Sequence, residues 1–289
     1  MFCSTLSLPM PLLIFKLNMK IYLFLILLLP FTMYSQGGIP TGARSGGLLN
    51  ASTTFCDNWA YFNNPGALGK LEKLSAGVSY ENRYLISDLQ RQSLALALPT
   101  KYGVFSVGAF HQGSSEYRNF RSGLGYALKL ADNFSAGIQF NYQGIRLPNY
   151  YGKSNTITAE FGALLNVTEK WNFGFSIFNL GQNKLSDFKN DRYNTTMRLG
   201  IGYKPAKAVN VIAEVWKDID GPVSFKGALE YEPFKQFHLR LGVGNQPSAL
   251  AFGIGYKWNE YSLDLATAYH QVLGWSPQIS FTYEKGKVK

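Results

Sequence analysis

The sequence predicts an all-β protein: a transmembrane antiparallel β-barrel of about 14 strands with a short N-terminal plug or hatch segment. Three observations support this prediction: a shortage of charge, a repeated zigzag of apolar and polar residues, and aromatic residues at the ends of the zigzag segments. Of the 289 residues, 16% are charged and 15% are aromatic. Soluble domains carry about 25% charged residues. The deficit indicates that much of the surface does not face water.

Short alternating segments repeat along the chain from residue 74 onward. Each has about the 9–11 residues that a tilted strand needs to cross a bilayer. In one of them, Leu250, Phe252 and Ile254 share a face, with Ala251 and Gly253 opposite, because successive side chains of a strand point to opposite sides. The predicted strands begin near Leu74, Gln90, Gly103, Asn119, Phe134, Thr156, Trp171, Thr195, Val209, Val223, Phe237, Ser248, Tyr261 and Pro277.

A soluble β-sandwich also alternates, with its apolar face turned inward. The distribution of aromatic residues favours the membrane barrel, because amphipathic rings concentrate at the two headgroup levels. The alternation of short and longer connections also favours it, since outer-membrane barrels have short periplasmic turns and longer outer loops. The longer connections include residues 146–155 and 181–194. The predicted aromatic girdle consists of Tyr80, Tyr84, Tyr142, Trp171, Trp216, Tyr231, Tyr256, Trp258, Tyr261, Tyr269 and Tyr283.

Charged residues within the strands fall on the polar face. An Arg or Lys facing lipid at the bilayer midplane costs about 2–4 kcal/mol, so these side chains are predicted to point inward and to pair across the lumen. The predicted lumen charge network is Glu81, Arg91, Arg121, Glu160, Arg198, Glu214, Lys226, Glu230, Arg240 and Asp264.

The N-terminus reads as a secretory signal peptide over residues 1–35, with a basic start, a short apolar core and cleavage near Ser35 and Gln36. Its apolar run is shorter than the ~20 residues of a spanning helix, which disfavours the alternative of a retained anchor. Either Met1 or Met19 could be the initiator. Cys56 would be the one cysteine left after cleavage, so no intramolecular disulfide is predicted, and its role stays open.

The formal net charge is +10, but the basic residues are scattered, so nucleic acid is not a predicted partner. No phosphate-binding loop, cofactor motif or metal-ligand spacing is present, and no cofactor is predicted. A membrane-embedded hydrolase would need a nucleophile or acid beside a histidine. His238, near Arg240, and His270, near Asp264, are the candidates for that disfavoured alternative.

The predicted organisation is a signal peptide (1–35), a plug segment (36–73) and the barrel (74–289). The plug segment is rich in Gly and Pro and does not alternate, which is typical of turns. The candidates for closing the lumen or docking a partner are Arg44, Asp57, Trp59, Asn64 and Pro65. The alternative is that they serve only local structure, through an Asn-Pro turn and a helix cap supplied by Asp57.

Residues in this segment resemble a known family. The order Gly-Ala-Arg-Ser at 42–45, a Gly- and Ala-containing stretch, Asp-x-Trp-Ala at 57–60 and Asn-Pro-Gly-Ala-Leu at 64–68 is similar to the N-terminus of PorV/PorQ proteins. These belong to the wider group of FadL-like outer-membrane barrels, which have fourteen strands and an N-terminal hatch. The family's Asn-Pro-Ala-Gly-Leu is inverted here at Gly66 and Ala67. The Tyr-Ser-Gln at 34–36 resembles leader ends of Bacteroidota.

The resemblance implies a non-enzymatic protein of the outer membrane of a Gram-negative bacterium, in a Bacteroidota-like setting. It implies a part in type IX protein secretion, or an accessory role in another large outer-membrane complex. The expected partners are outer-membrane lipid and lipopolysaccharide, and other outer-membrane or secretion-machinery proteins or exported cargo. The alternative is a FadL-like channel for hydrophobic solutes, which the compact strand connections disfavour.

Overall fold

The structure, a computed structural model, describes residues 40–114, 117–146, 153–183 and 193–287. The predicted signal peptide lies outside these residues, as do the middle parts of the connections at 146–155 and 181–194. Among the described residues, none of the helices is long and apolar enough to cross a bilayer.

Fourteen antiparallel strands form one closed barrel, in which each strand pairs with its neighbours in sequence. The first and last strands close it, with Val78 opposite Phe281. Closure pairs the backbone of every strand, as a bilayer requires. The strands are β1 (Lys73–Asn82), β2 (Gln90–Thr100), β3 (Gly103–Gly113), β4 (Arg118–Lys129), β5 (Phe134–Arg146), β6 (Lys153–Asn166), β7 (Trp171–Phe178), β8 (Thr196–Ala206), β9 (Val209–Asp218), β10 (Val223–Phe234), β11 (Phe237–Asn245), β12 (Ser248–Trp258), β13 (Tyr261–His270) and β14 (Gly274–Lys287).

The apolar side chains of the strands lie on the outer surface. Leu124 is 69% exposed and Phe140 is 58% exposed, whereas Gln139 and Asn141, the polar neighbours of Phe140, turn inward and are buried. A soluble sandwich would show the opposite arrangement. The predicted barrel of about 14 strands is confirmed, and its alternation has the polarity of a membrane barrel.

The two ends of the barrel differ in their connections. One end carries the turns that follow β2, β4, β6, β8, β10 and β12, each of two to four residues, together with the start of β1 and the end of β14. We call it the periplasmic end, because outer-membrane barrels place their short turns there. The opposite end is called the extracellular end.

The seam between β6 and β7 is shorter than its neighbour. β6 pairs with β5 along its whole length, but it pairs with β7 only from Phe161 to Asn166. Beyond Phe161, described residues that follow β7 donate hydrogen bonds to this edge of β6. Leu180 N donates to Ala159 O at 2.9 Å, and Asn183 Nδ2 donates to Ile157 O. Within the described residues, the regular pairing of β6 with β7 therefore ends at Phe161.

Residues 40–72, here called the plug, lie inside the barrel. They form α1 (Ala43–Gly46), α2 (Ala60–Asn63) and a 3-10 helix over Pro65–Lys70. The plug supplies much of the apolar core: Trp59, Tyr61 and Phe62 pack with Ala95 of β2 and Phe110 of β3. A core inside the lumen explains how a barrel with an apolar outer face also has a packed interior.

Candidate functional site: the plugged lumen

Glycines on the inner face of the barrel mark where the plug approaches the wall. A Cβ added at Gly162 would lie 2.1 Å from Asn64 Oδ1, and one added at Gly137 would lie 2.6 Å from Pro65 O. Only a residue without a side chain permits such contact between two backbones. The inner-face glycines whose added Cβ would meet the plug are Gly77, Gly108, Gly137, Gly162, Gly174, Gly200, Gly202, Gly242, Gly244 and Gly253.

Asn64 and Pro65 serve local structure and also contact the barrel wall. Asn64 Oδ1 accepts from Gly66 N at 3.1 Å, and Pro65 occupies the first turn of the 3-10 helix. The Asn64 amide also donates to Thr53 O at 2.6 Å within the plug and to Ala163 O at 2.9 Å on β6. The turn predicted from Asn-Pro therefore also ties the plug to the wall.

Arg44 connects the plug to the opposite wall through Glu230 of β10. Its Nε and Nη2 donate to the two carboxylate oxygens at 3.0 and 2.8 Å. Arg240 donates to Glu230 at 2.8 Å and to Asp264 at 2.7 Å, so the network continues across β11 to β13. The bidentate geometry is the strong form of an Arg–carboxylate pair.

Asp57 lies beside this network. Its carboxylate accepts a hydrogen bond from Arg44 Nη1 at 3.2 Å and so contributes to the plug's charge network. The side chain of Asp57 does not cap the helix that follows it, α2. Burial raises the pKa of the Asp57 carboxyl above its usual value, and the charge of Arg44 opposes this shift.

Two further ion pairs join strands of the wall, one between adjacent strands and one across an intervening strand. Arg121 of β4 pairs with Glu160 of β6, which also accepts from Asn141 Nδ2 at 2.8 Å. Arg91 of β2 pairs with Glu81 of β1, and its guanidinium also donates to a plug carbonyl, Pro40 O, at 3.1 Å. Each pair is largely shielded from solvent.

Glu214 of β9 binds the plug directly. It accepts from Thr53 N at 3.0 Å and from Thr53 Oγ1 at 2.8 Å, and from Trp216 Nε1 at 2.5 Å. Lys226 Nζ lies 3.1 Å from the centre of the Trp216 ring, and the Arg198 guanidinium lies 4.5 Å from it. The structure thus places all ten predicted network residues on the inner face, grouped in separate clusters.

The prediction that Trp216 belongs to the aromatic girdle was wrong. Trp216 is 5% exposed and shares the inner face with Glu214, two positions earlier in the strand. Its ring is held between two cations inside the lumen, where cation–π attraction is strong because water is scarce. The alternating pattern itself predicts an inward position, since Trp216 lies on the same face of β9 as the charged residue Glu214.

Trp59 anchors the first part of the plug. Its Nε1 donates to Thr282 Oγ1 at 3.2 Å, and its ring would collide with any side chain at Gly42, where φ is +100°. Sequence reasoning missed Thr53, and also Tyr61, whose hydroxyl bonds to Gly108 O at 3.2 Å and Asn141 Oδ1 at 3.1 Å. No sequence motif distinguishes Thr53 or Tyr61 from ordinary turn and core residues.

His270, one of the two histidines proposed for a hydrolase, is engaged by the backbone of the turn that follows β13. His270 Nδ1 accepts from the backbone N–H groups of Val272 and Leu273, both at 3.2 Å. Asp264, its predicted neighbour, pairs with Arg240. Within the described ranges, no three His, Cys, Asp or Glu side chains are grouped as ligands for a metal ion.

A closed fourteen-stranded barrel with an apolar outer face and a plugged lumen is an architecture of bacterial outer-membrane proteins. The fold is FadL-like.

The chain is similar to a solved FadL homologue of Pseudomonas aeruginosa, with a TM-score of 0.63 and 13% identity over 86% of this chain and 100% of that one. It is also similar to the Pseudomonas putida toluene transporter TodX, with a TM-score of 0.58 and 11% identity over 88% of this chain and 99% of that one. A TodX variant described as a monoaromatic hydrocarbon channel has a TM-score of 0.63 at 12% identity, over 86% of this chain and 99% of that one. No family model and no curated protein matches the sequence.

Proposed function

We propose that this chain is a non-enzymatic outer-membrane channel for small hydrophobic solutes, which leave the lumen sideways through the seam between β6 and β7. The observation that carries the proposal is the position of that seam relative to the plug. The plug meets β6 at Gly162 and Ala163, and the pairing of β6 with β7 stops at Phe161, immediately on the extracellular side. A solute stopped by the plug would therefore stand beside the point at which the regular pairing of these two strands ends.

The side chains beside the seam suit an apolar solute. Phe178, at the end of β7, and Phe62 of the plug both lie close to Arg121, with ring centres 5.1 and 5.7 Å from the guanidinium carbon. Phe110 of β3 lies next to Phe62, at 6.2 Å between ring centres. The similarity to channels described for toluene and monoaromatic hydrocarbons supports the same class of solute. A hydrophobic solute gains free energy by entering the bilayer directly.

A cross-link across the seam tests this route. In a Cys56→Ser background, Ala159→Cys with Leu180→Cys would join the two edges, and Ala136→Cys with Ala163→Cys would join the fully paired β5–β6 seam as a control. Toluene uptake into proteoliposomes should fall to the protein-free rate with the first disulfide, recover on reduction, and be unaffected by the second. Uptake that is indifferent to the first cross-link would contradict the lateral route.

A second candidate function is a PorV/PorQ-like subunit of the type IX secretion system or of another outer-membrane assembly, in a Bacteroidota-like organism. Its support is the close contact of the plug with inner-face glycines from β1 around to β12. A plug that stays fixed in the lumen would block the passage of a solute, which is more consistent with a docking protein than with a channel. Extraction of native membranes in mild detergent separates the two: a stable copurifying partner supports this function, and a lone barrel opposes it.

A further inference from the structure

A polar cavity of about 410 Å³ opens at the periplasmic end, between the plug and the wall formed by β6 to β11. Its volume lies within the ~300–1,000 Å³ of ordinary ligand pockets. Thr54, Phe55 and Cys56 form its plug side, and the turn between β8 and β9 forms its outer side. An occupant would therefore touch the plug and the barrel together.

The cavity carries uncompensated positive charge. Lys204 and Lys207 are exposed and, among the described residues, form no ion pair. Lys70 donates to Asn133 O at 3.0 Å and is not paired with a carboxylate. Of the two acidic residues in the lining, Glu230 is saturated by Arg44 and Arg240, which leaves Glu232 as the one opposing charge without a guanidinium partner.

The same cavity is lined by buried polar atoms that have no partner in the described protein. Thr54 is 4% exposed and Asn210 is 9% exposed, and neither Thr54 Oγ1 nor Asn210 Oδ1 accepts a hydrogen bond. Asn166 Oδ1 and Asn172 Oδ1, from the ends of β6 and β7, are also unpaired and also line the cavity. Buried polar groups in folded proteins are nearly always paired, so such a cluster marks a surface suited to a ligand.

We propose that this cavity binds an acidic peptide segment of a periplasmic protein. The lysines match acidic side chains, and the asparagine amides match peptide groups, because an amide presents a donor and an acceptor side by side. Inorganic phosphate offers one or two O–H donors at neutral pH, fewer than the three unpaired asparagine oxygens, whereas a peptide supplies an N–H group at each residue. The site lies at the mouth of the lumen on the inner face, which disfavours a lipid headgroup. The proposal holds whether or not a solute crosses the barrel.

Binding of a fluorescein-labelled pentapeptide, Gly-Glu-Glu-Glu-Gly, to the detergent-purified full chain tests the proposal by fluorescence anisotropy. Replacing the three glutamates by glutamine should weaken binding about tenfold, and Lys204→Gln with Lys207→Gln should have a similar effect. A matched control is Lys101→Gln with Lys235→Gln, which removes the same charge from two other periplasmic turns outside the cavity and should leave the affinity within about twofold.

Asn210→Ala separates a peptide site from a simple anion site. It should weaken the peptide about fivefold, the effect of one hydrogen bond, and leave competition by inorganic phosphate unchanged. The heat-dependent shift on a denaturing gel confirms that each variant barrel is folded. The proposal is overturned if the peptide does not bind, if the control pair weakens it as much as the cavity pair, or if Asn210→Ala leaves peptide affinity unchanged.

Discussion

Arg44 of the plug and Glu230 of β10 form a bidentate ion pair, with donor–acceptor distances of 3.0 and 2.8 Å. The two residues are 186 positions apart in the chain, so the pair fixes the N-terminal segment against the far wall of the barrel. Because Glu230 also binds Arg240, one carboxylate compensates two largely buried guanidinium groups. Glu230 therefore ties the plug to the wall of the barrel.

Glu230→Gln should loosen the plug. It leaves Arg44 and Arg240 without their shared countercharge, and breaking a buried pair in this way costs about 3–5 kcal/mol. Planar-bilayer recordings should show a higher open probability than the unmodified chain. Asp132→Asn, which breaks the exposed pair with Lys129 in a periplasmic turn, is the control and should leave the conductance unchanged. Equal conductance of Glu230→Gln and the unmodified chain would show that the Arg44–Glu230 pair does not hold the plug in place.

Gly162→Ala should destabilise the plugged barrel by about 1–3 kcal/mol, as overpacking does. The new Cβ would lie 2.1 Å from Asn64 Oδ1 and 2.6 Å from Gly66 N. Gly227→Ala is the matched control, because its Cβ would meet nothing closer than Val243 Cγ2 at 3.6 Å. Thermal unfolding in detergent measures both. Equal midpoints for the two variants would show that the plug does not press on the wall at Gly162.

Thr53→Val should cost about 1–3 kcal/mol, since it removes a hydrogen bond to the charged, buried Glu214. Thr41→Val is the control within the same plug: Thr41 is also buried, but its hydroxyl has no partner in the described structure. That substitution should be neutral or stabilising. Urea unfolding monitored by tryptophan fluorescence gives both values, and the reverse order of stabilities would argue against the Thr53–Glu214 contact.

Phe140→Arg should destabilise the barrel in lipid by about 2–4 kcal/mol. Phe140 lies in the middle of β5 with its ring on the outer face, where a guanidinium would meet hydrocarbon. Leu130→Arg, at an equally exposed position in the turn before β5, should cost far less, because the new charge reaches water. Refolding into phospholipid vesicles compares them, and similar losses would place Phe140 outside the hydrocarbon layer.

Most of the barrel could be predicted from the sequence because its strands obey a period of two. Nine predicted strand starts, such as Gln90 and Phe237, coincide with the observed ones. The others lie within three residues, as at Thr156, where β6 begins at Lys153, and Pro277, where β14 begins at Gly274. The differences fall at strand ends, where alternation fades and the backbone pairing decides the boundary.

The arrangement of the plug could not be predicted from local patterns. Asn64 and Pro65 were identifiable from turn chemistry, but their contacts with β5 and β6 depend on glycines about 70 to 100 positions later. The partners of the charged side chains inside the lumen could not be predicted from the sequence either. The alternating pattern predicts that Glu230 faces inward. It does not predict whether Glu230 pairs with Arg44, Arg240 or another cation.

The most direct test of a lipid-facing apolar surface and an enclosed polar interior is a cysteine scan of β10. In a Cys56→Ser background, positions 224–229 would be replaced one at a time, labelled with a bimane fluorophore and quenched by nitroxide lipids. Quenching should be strong at Phe225, Gly227 and Leu229 and weak at Ser224, Lys226 and Ala228, as the alternating burial of this strand requires. Uniform quenching, or quenching at the second set, would contradict the account.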